Sequence, residues 1–224
     1  MLKETHVFSC PMPSPLFSIL YADPPWRYHS VNVRPRSASA PEQVNRVAPP
    51  PYSCLSTRTL CQMPIASLCA PDCLLFLWTT YPMLPDALKV IAAWGFEYRT
   101  CAFTWVKQNP SLQGYHFGTG YWTRANPELC LLGVKGHPKR QRADVRNLVI
   151  SPRREHSRKP DEVRDRIVDL CGDLPRLELF ARQKTPGWKV WGNEVQSDIV
   201  LTVPISAEKS VLVHKGNSSS FTSA

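Results

Sequence analysis

One helix-and-strand unit near the end of the chain constrains the fold more than any other feature. Pro160 fits the first position of a helix, apolar residues recur after it at helical spacing, and Gly172 predicts its end. A strand is predicted at 176–180, with Glu178 on the face opposite its leucines. Apolar runs of strand length alternate with amphipathic segments along the rest of the chain. The sequence therefore predicts an α/β sheet protein.

The other elements are predicted from the same patterns. Strands are predicted at 17–22, 73–78, 99–107, 128–134 and 188–191. Helices are predicted at 56–68, with a break or kink at Pro64, and at 85–94, ended by Gly95. The apolar side of this second helix is predicted to comprise Leu84, Leu88, Ile91 and Ala92.

The chain has 224 residues, enough for one substantial core and too few for two comfortable domains. We predict an N-terminal extension at 1–15, a catalytic domain at 16–196 and a poorly ordered tail at 197–224. The proline-rich segment 29–51 lacks apolar periodicity and is long for a connection, so it is predicted to be a substrate-facing lid. No signal peptide or membrane span is recognisable, and a cytoplasmic protein is expected.

The eight cysteines form no C-x-x-C pair, and most lie in apolar runs, which is typical of reduced core thiols. Cys69 and Cys73 lack a companion pair at zinc-finger spacing. No metal site is therefore predicted, and a zinc site at this pair is the minor alternative.

Asp23-Pro24-Pro25-Trp26 closes the first predicted strand and carries chemistry of its own. Neither proline has a backbone N–H, so the Asp23 carboxylate and the Pro24 carbonyl present only hydrogen-bond acceptors. An amino group on a nucleobase needs two such acceptors while its nitrogen turns tetrahedral to receive a methyl group. Trp26 is predicted to stack the base. The alternative is an ordinary strand followed by an Asp-Pro turn with a half-buried tryptophan.

Positive charge is concentrated at 137–159, which holds eight Lys or Arg against two acidic residues in a chain of formal net charge +9. A segment with so large an excess of positive charge favours binding of a polyanion. Nucleic acid is the simplest polyanion that also fits the tetrapeptide. An acidic protein partner is the alternative. The predicted phosphate contacts are Arg140, Arg142, Arg153 and Arg154.

With these motifs in order, the chain resembles the MT-A70 family. This family includes the adenosine methyltransferase subunit of eukaryotic messenger RNA and compact bacterial and phage relatives. The matching segments are 23–26, 120–122, 132–138, 157–162, 177–182 and 191–194. Their common order along the chain is more specific than any single segment.

The resemblance implies a Rossmann-like fold that uses S-adenosylmethionine. It also implies a permuted order, with the catalytic motif N-terminal and the cofactor motifs C-terminal. By resemblance, Lys159 pairs with the methionine carboxylate of the cofactor, Glu178 and Arg182 lie near its ribose, and Asn193 joins them. A lysine just before a helix N-terminus and a carboxylate at a strand end suit those ligand groups.

DNA is the expected substrate, because the chain lacks the zinc-finger and partner-binding regions of the eukaryotic subunit and resembles the compact members. RNA is the nearer alternative, since phosphate contacts do not report the sugar. A non-catalytic nucleic-acid-binding subunit of the same fold is the alternative of another class. The intact tetrapeptide and Lys159 count against it.

Overall fold

The computed structural model describes residues 16–28, 54–118, 120, 122–154 and 158–201. Its centre is a sheet of seven strands: β1 Phe17–Ala22, β2 Cys69–Thr79, β3 Glu97–Gln108, β4 Glu128–Lys135, β5 Leu148–Pro152, β6 Arg176–Leu179 and β7 Lys189–Trp191. The α-helices are α1 Thr57–Cys61, α2 Leu84–Ala93 and α3 Glu162–Cys171. Short 3₁₀ turns at Ile65–Leu68 and Tyr81–Met83 precede and follow β2.

The sheet is mixed and its strands lie in the order β5-β3-β4-β2-β1-β6-β7. Within it, β4 runs antiparallel to both neighbours, and the remaining strand pairs are parallel. Six strands therefore end at one edge, which we call the carboxyl edge, and β4 begins there. In open α/β sheets this is the edge at which ligands bind.

Alternate side chains of the strands build two cores on opposite faces of the sheet. Leu20 of β1 packs in one core with Leu60 of α1 and Val90 of α2. Tyr21 packs in the other core with Val163 of α3. After β1 the chain thus passes to α1 and α2 on one face of the sheet, and it reaches β6 from α3 on the other face. The crevice between these two adjacent parallel strands is the position where such sheets bind ligands.

The predicted α/β class is confirmed, and so are the predicted strands and the break near Pro64, where α1 ends and a 3₁₀ turn follows. One strand was not predicted. β5 lies inside the basic segment, and only its second residue, Val149, is fully buried, while Leu148 and Ile150 are exposed. A short edge strand of this kind leaves almost no alternating pattern to recognise.

Two details of the predicted helices are wrong. Helix α2 buries Ala87, Val90 and Ile91, whereas Leu88 and Ala92 are exposed. The sequence of α2 has two overlapping apolar faces. The face that continues into the large Trp94 is the one that packs in the core. Helix α3 begins at Glu162, so Pro160 precedes the helix and does not occupy its first position.

Several predicted segments lie outside the described residues: the extension 1–15, the lid 29–51 and the tail from residue 202 onward. The residues just before 202 are packed. Ser197 Oγ accepts a hydrogen bond from the Gly192 N–H at 3.1 Å, and Asp198 accepts one from the Val190 N–H at 2.9 Å. Ile199 and Leu201 contact the core. The packed part of the chain therefore continues past the predicted domain boundary at residue 196.

The described ranges contain seven cysteines, all free thiols. These ranges hold no group of three or more His, Cys, Asp or Glu side chains that could bind a metal ion. None of their helices is long and apolar enough to cross a membrane.

Candidate active site

The predicted catalytic motif forms a tight turn at the carboxyl edge, immediately after β1. The Pro24 carbonyl accepts a hydrogen bond from the Trp26 N–H at 2.8 Å, which closes a three-residue turn around Pro25. The Pro25 carbonyl accepts one from the Leu55 N–H, also at 2.8 Å, so the turn is fixed to the segment before α1. A carbonyl oxygen has two lone pairs, and Pro24 therefore keeps an acceptor site for a ligand.

Trp26 is a buried anchor of this turn. Its side chain is 6% exposed and packs in the core beside α1. Its Nε1–H donates to the Trp78 carbonyl at 3.0 Å, which connects the turn to the end of β2. Little of the ring is open to a base in this conformation. The geometry therefore favours an anchoring role over the predicted stacking role.

Four charged side chains form a continuous row at this edge. We call this row the charge chain, and its members are Asp23, Lys159, Glu128 and Lys107. Lys159 Nζ lies 2.7 Å from Asp23 Oδ2 and 3.1 Å from Glu128 Oε2. Lys107 Nζ lies 2.5 Å from the other Glu128 oxygen. The Lys159 side chain is 6% exposed and that of Glu128 is 7% exposed, while Asp23 is 30% exposed. Lys107 is 18% exposed, so Asp23 is the member most accessible to a ligand.

Burial and the charge chain together shift the pKa values of Asp23, Glu128 and Lys159. Burial raises the pKa of Asp23 above its ordinary value, and Lys159 opposes this rise. Burial would also raise the pKa of Glu128, but Lys159 and Lys107 bring it below its ordinary value. For Lys159, burial would lower the pKa, yet Asp23 and Glu128 raise it overall. Asp23 is therefore the carboxylate of the charge chain whose pKa stays above its ordinary value, although Lys159 lowers it.

Glu178 on β6 is bound at both carboxylate oxygens by one arginine. Arg164 of α3 donates from Nε at 2.8 Å and from Nη2 at 2.6 Å. The two side chains are 8% and 9% exposed. Burial would lower the pKa of Arg164, but Glu178 raises it, so Arg164 stays charged. This pair fixes α3 against β6 next to the crevice.

Replacing Arg164 by methionine should destabilise the fold by about 3–5 kcal/mol, because Glu178 would become a buried carboxylate without a cation. The matched control is Arg158→Met. It removes a half-exposed ion pair with Asp161 and should cost less than about 1 kcal/mol. Denaturant unfolding of both variants measures the difference. Equal free energies of unfolding would show that the Arg164–Glu178 pair contributes no more than a surface pair.

A narrow cleft of about 50 Å³ opens between β1 and β6. Its lining includes Asp23, Lys159, Glu178 and Arg182, so the structure brings together four of the residues that the sequence assigned to catalysis and cofactor binding. Asn193 follows β7, is exposed and does not line this cleft. The cleft combines one accessible carboxylate with several cations at a sheet edge suited to ligands.

The four arginines predicted to contact phosphates are not brought together. Arg153 and Arg154 follow β5 and lie at the carboxyl edge. Arg140 and Arg142 precede β5 and flank Gln141, whose N–H bonds to the last turn of α3 at 2.7 Å. The length of β5 separates the two pairs by roughly 16 Å. The basic segment therefore contributes to two opposite edges of the sheet.

Comparison with known proteins identifies the family. The model of the MT-A70 family matches residues 17–194. The chain belongs to the MT-A70 family. It is similar to the Type II methyltransferase M.MunI of Mycoplasma sp, with 33% identity over 208 residues that cover 88% of this chain and 85% of that protein. The resemblance seen in the motifs is thereby confirmed, and the chain is a methyltransferase of this family.

Eukaryotic relatives match over a similar part of this MT-A70 protein. The N(6)-adenosine-methyltransferase MT-A70-like protein of Arabidopsis thaliana is 30% identical over 182 residues, and the human N(6)-adenosine-methyltransferase catalytic subunit METTL3 is 30% identical over 184. Each match covers 80% of this chain. The covered share is 24% of the plant protein and 28% of the human one.

Sequence reasoning missed three charged residues of this MT-A70 protein: Lys107, Glu128 and Arg164. A weak signal existed for Glu128, because it is the first residue of the apolar run of β4. A carboxylate at that position is buried unless this end of the strand lies at the surface. Nothing local distinguished Lys107 or Arg164 from solvent-facing side chains. Their partners are distant in sequence, and only the sheet order brings them together.

Proposed function

We propose that this MT-A70 protein transfers a methyl group from S-adenosylmethionine to the exocyclic amino group of adenine in DNA. The observation that carries the proposal is the pair of acceptors at Asp23 and Pro24, fixed at the carboxyl edge by Lys159 and by the bond to Leu55. The N(6)-adenosine methyltransferases among its relatives support adenine as the target. Similarity to a Type II methyltransferase over most of both chains supports DNA.

In this proposal, the Asp23 carboxylate and the Pro24 carbonyl accept the two N–H groups of the adenine amine. The amino nitrogen acquires positive charge as it becomes tetrahedral, and the adjacent carboxylate stabilises that charge. Lys159 keeps Asp23 ionised and orients it through Oδ2. The other Asp23 oxygen then takes the excess proton. Positioning and electrostatics carry most of the acceleration in this scheme.

S-adenosylmethionine supplies an activated methyl group on a positively charged sulfur. The cleft residues fit such a molecule. Glu178 has lone pairs beyond those used by Arg164 and can accept a ribose hydroxyl, and Arg182 is 29% exposed beside it. Lys159 would have to share its N–H donors between Asp23, Glu128 and a methionine carboxylate. With the catalytic turn after β1 and these groups around β6 and β7, we propose the permuted order for this fold.

The substrate class is tested with S-adenosylmethionine carrying a labelled methyl group and with DNA and RNA oligonucleotides of the same sequence. Digestion and mass spectrometry of the nucleosides should find the label on the adenine amino group, with the larger kcat/KM for DNA. A larger value for RNA would overturn the choice of DNA. Cofactor binding without transfer to either polymer would favour the non-catalytic subunit.

The two arginine pairs of the basic segment lie at opposite edges of the sheet, and this placement allows a test of the phosphate contacts. Changing Arg153 and Arg154 to glutamine should reduce the slope of log affinity against log salt by roughly one unit for each duplex phosphate that an arginine no longer neutralises. The control is the double change of Arg140 and Arg142 to glutamine at the opposite edge, which should leave the slope unchanged. Base preference should not change in either variant. A slope altered only by the control pair would place the nucleic acid on the other edge.

A further inference from the structure

The described part of the connection between β3 and β4, residues 109–118, 120 and 122–127, lies at the carboxyl edge, and we call it the aromatic loop. It is fixed at its base. The Asn126 side chain accepts from the Lys107 N–H at 2.9 Å and donates to the Lys107 carbonyl at 2.8 Å. The His116 N–H also donates to the Lys107 carbonyl, at 2.9 Å. Because Lys107 Nζ contacts Glu128 in the charge chain, the loop is positioned directly against the candidate active site.

Large aromatic side chains of the aromatic loop are exposed to solvent. Tyr115 is 52% exposed, Phe117 is 76% exposed and Trp122 is 92% exposed. Tyr28 and Tyr81, which follow β1 and β2 at the same edge, are about half exposed. Among the exposed aromatic residues of the described ranges, Tyr98 near the start of β3 is the one at the opposite edge. So many aromatic rings beside one site favour a ligand with flat faces.

Cations accompany these rings. Arg124 lies within the aromatic loop and is exposed. Arg153 is joined to the end of β3 by its N–H, which donates to the Gln108 carbonyl at 3.2 Å. Burial, and then the charges of Arg153 and Lys107, lower the pKa of His116 below its ordinary value. Aromatic rings interleaved with arginines suit an unpaired nucleic acid strand, whose bases stack and whose phosphates need cations.

We propose that the aromatic loop, together with Tyr28 and Tyr81, stacks the unpaired bases that flank the target adenine. The substrate at the moment of reaction is then a single strand or a locally opened duplex. This inference rests on the proposed function, because it names the form of nucleic acid that reaches Asp23. It also places aromatic stacking at the mouth of the site, where the rings are more exposed than the ring of Trp26.

The experiment compares Phe117→Ala and Trp122→Ala with the matched control Tyr98→Ala. Each loop variant should weaken binding of a single-stranded adenine-containing oligonucleotide by roughly tenfold, as expected when one base no longer stacks on an aromatic ring. Trp122→Tyr should restore most of the affinity. The slope of log affinity against log salt should stay the same in both loop variants, since a stacking contact releases no counterions. Tyr98→Ala should bind as the unaltered protein does.

A fluorescent 2-aminopurine placed beside the target adenine reports stacking directly. Its emission should be quenched on binding to the unaltered protein and should recover in Trp122→Ala. Unchanged oligonucleotide affinity in both loop variants would overturn the inference. So would a change in oligomeric mass by light scattering with affinity retained, because the rings would then cover a second copy of the chain. Failure of the unaltered protein to methylate adenine would instead overturn the proposed function.

Discussion

Asp23→Asn is expected to lower kcat by about a hundredfold or more. The amide keeps the shape of the side chain but loses the negative charge that faces the amino nitrogen in the transition state. Asp23→Ala should lose at least as much. Cofactor affinity, measured by calorimetry, should fall far less, because the other polar groups of the cleft come from β6 and the segments around it.

The matched control for this change is Asp86→Asn in α2. Asp86 is also a largely buried carboxylate paired with a lysine, Lys89, at 3.2 Å, but it lies on a helix away from the cleft. Its replacement should leave kcat almost unchanged. Near-normal turnover in Asp23→Asn would remove Asp23 from the mechanism, whatever the control shows.

Lys159→Met is expected to have the second largest effect. It removes the cation between Asp23 and Glu128 and leaves two neighbouring carboxylates at a mostly buried site. Breaking such a pair typically costs about 3–5 kcal/mol of folding stability. The pKa of Asp23, already raised by burial, should rise further. Since Asp23 acts in its ionised form, the acid limb of the kcat–pH profile should move to higher pH.

The MT-A70 resemblance adds an expectation at the same residue. If Lys159 also contacts the methionine carboxylate, cofactor affinity should fall by up to a few kcal/mol, and Lys159→Glu should be worse than Lys159→Met. Arg99→Met, which breaks an exposed ion pair with Glu97, is the control and should cost less than about 1 kcal/mol. Unchanged stability and an unchanged pH profile in Lys159→Met would contradict the role of the charge chain.

The sequence was most informative where the physics is local. Pro24 and Pro25 define an acceptor-only turn by their covalent structure alone, and the turn occurs where it was predicted. The helix ended by Gly172 and the strand that carries Glu178 also follow from short-range patterns. These elements place Asp23, Lys159, Glu178 and Arg182 at one cleft.

What the sequence could not supply depends on contacts between distant residues. Lys159 and Asp23 are 136 residues apart, and their ion pair exists because β1 lies beside β6 in the sheet. In the sequence, the basic segment suggests a single surface. In the structure, β5 runs through this segment and separates its two ends. Trp26 was predicted to stack the base, whereas the bond from its Nε1–H to the Trp78 carbonyl favours an anchoring role. Strand order determined each of these outcomes, and no local pattern encodes it.

The most direct test of the central claim uses an oligonucleotide with a single adenine and S-adenosylmethionine with a labelled methyl group. Mass spectrometry of the digested product should place the label on the adenine amino nitrogen for the unaltered protein and for Asp86→Asn. It should find almost none for Asp23→Asn at equal cofactor saturation. Label on another base, or equal labelling by Asp23→Asn, would contradict the assignment of Asp23 as the acceptor for an adenine amino group.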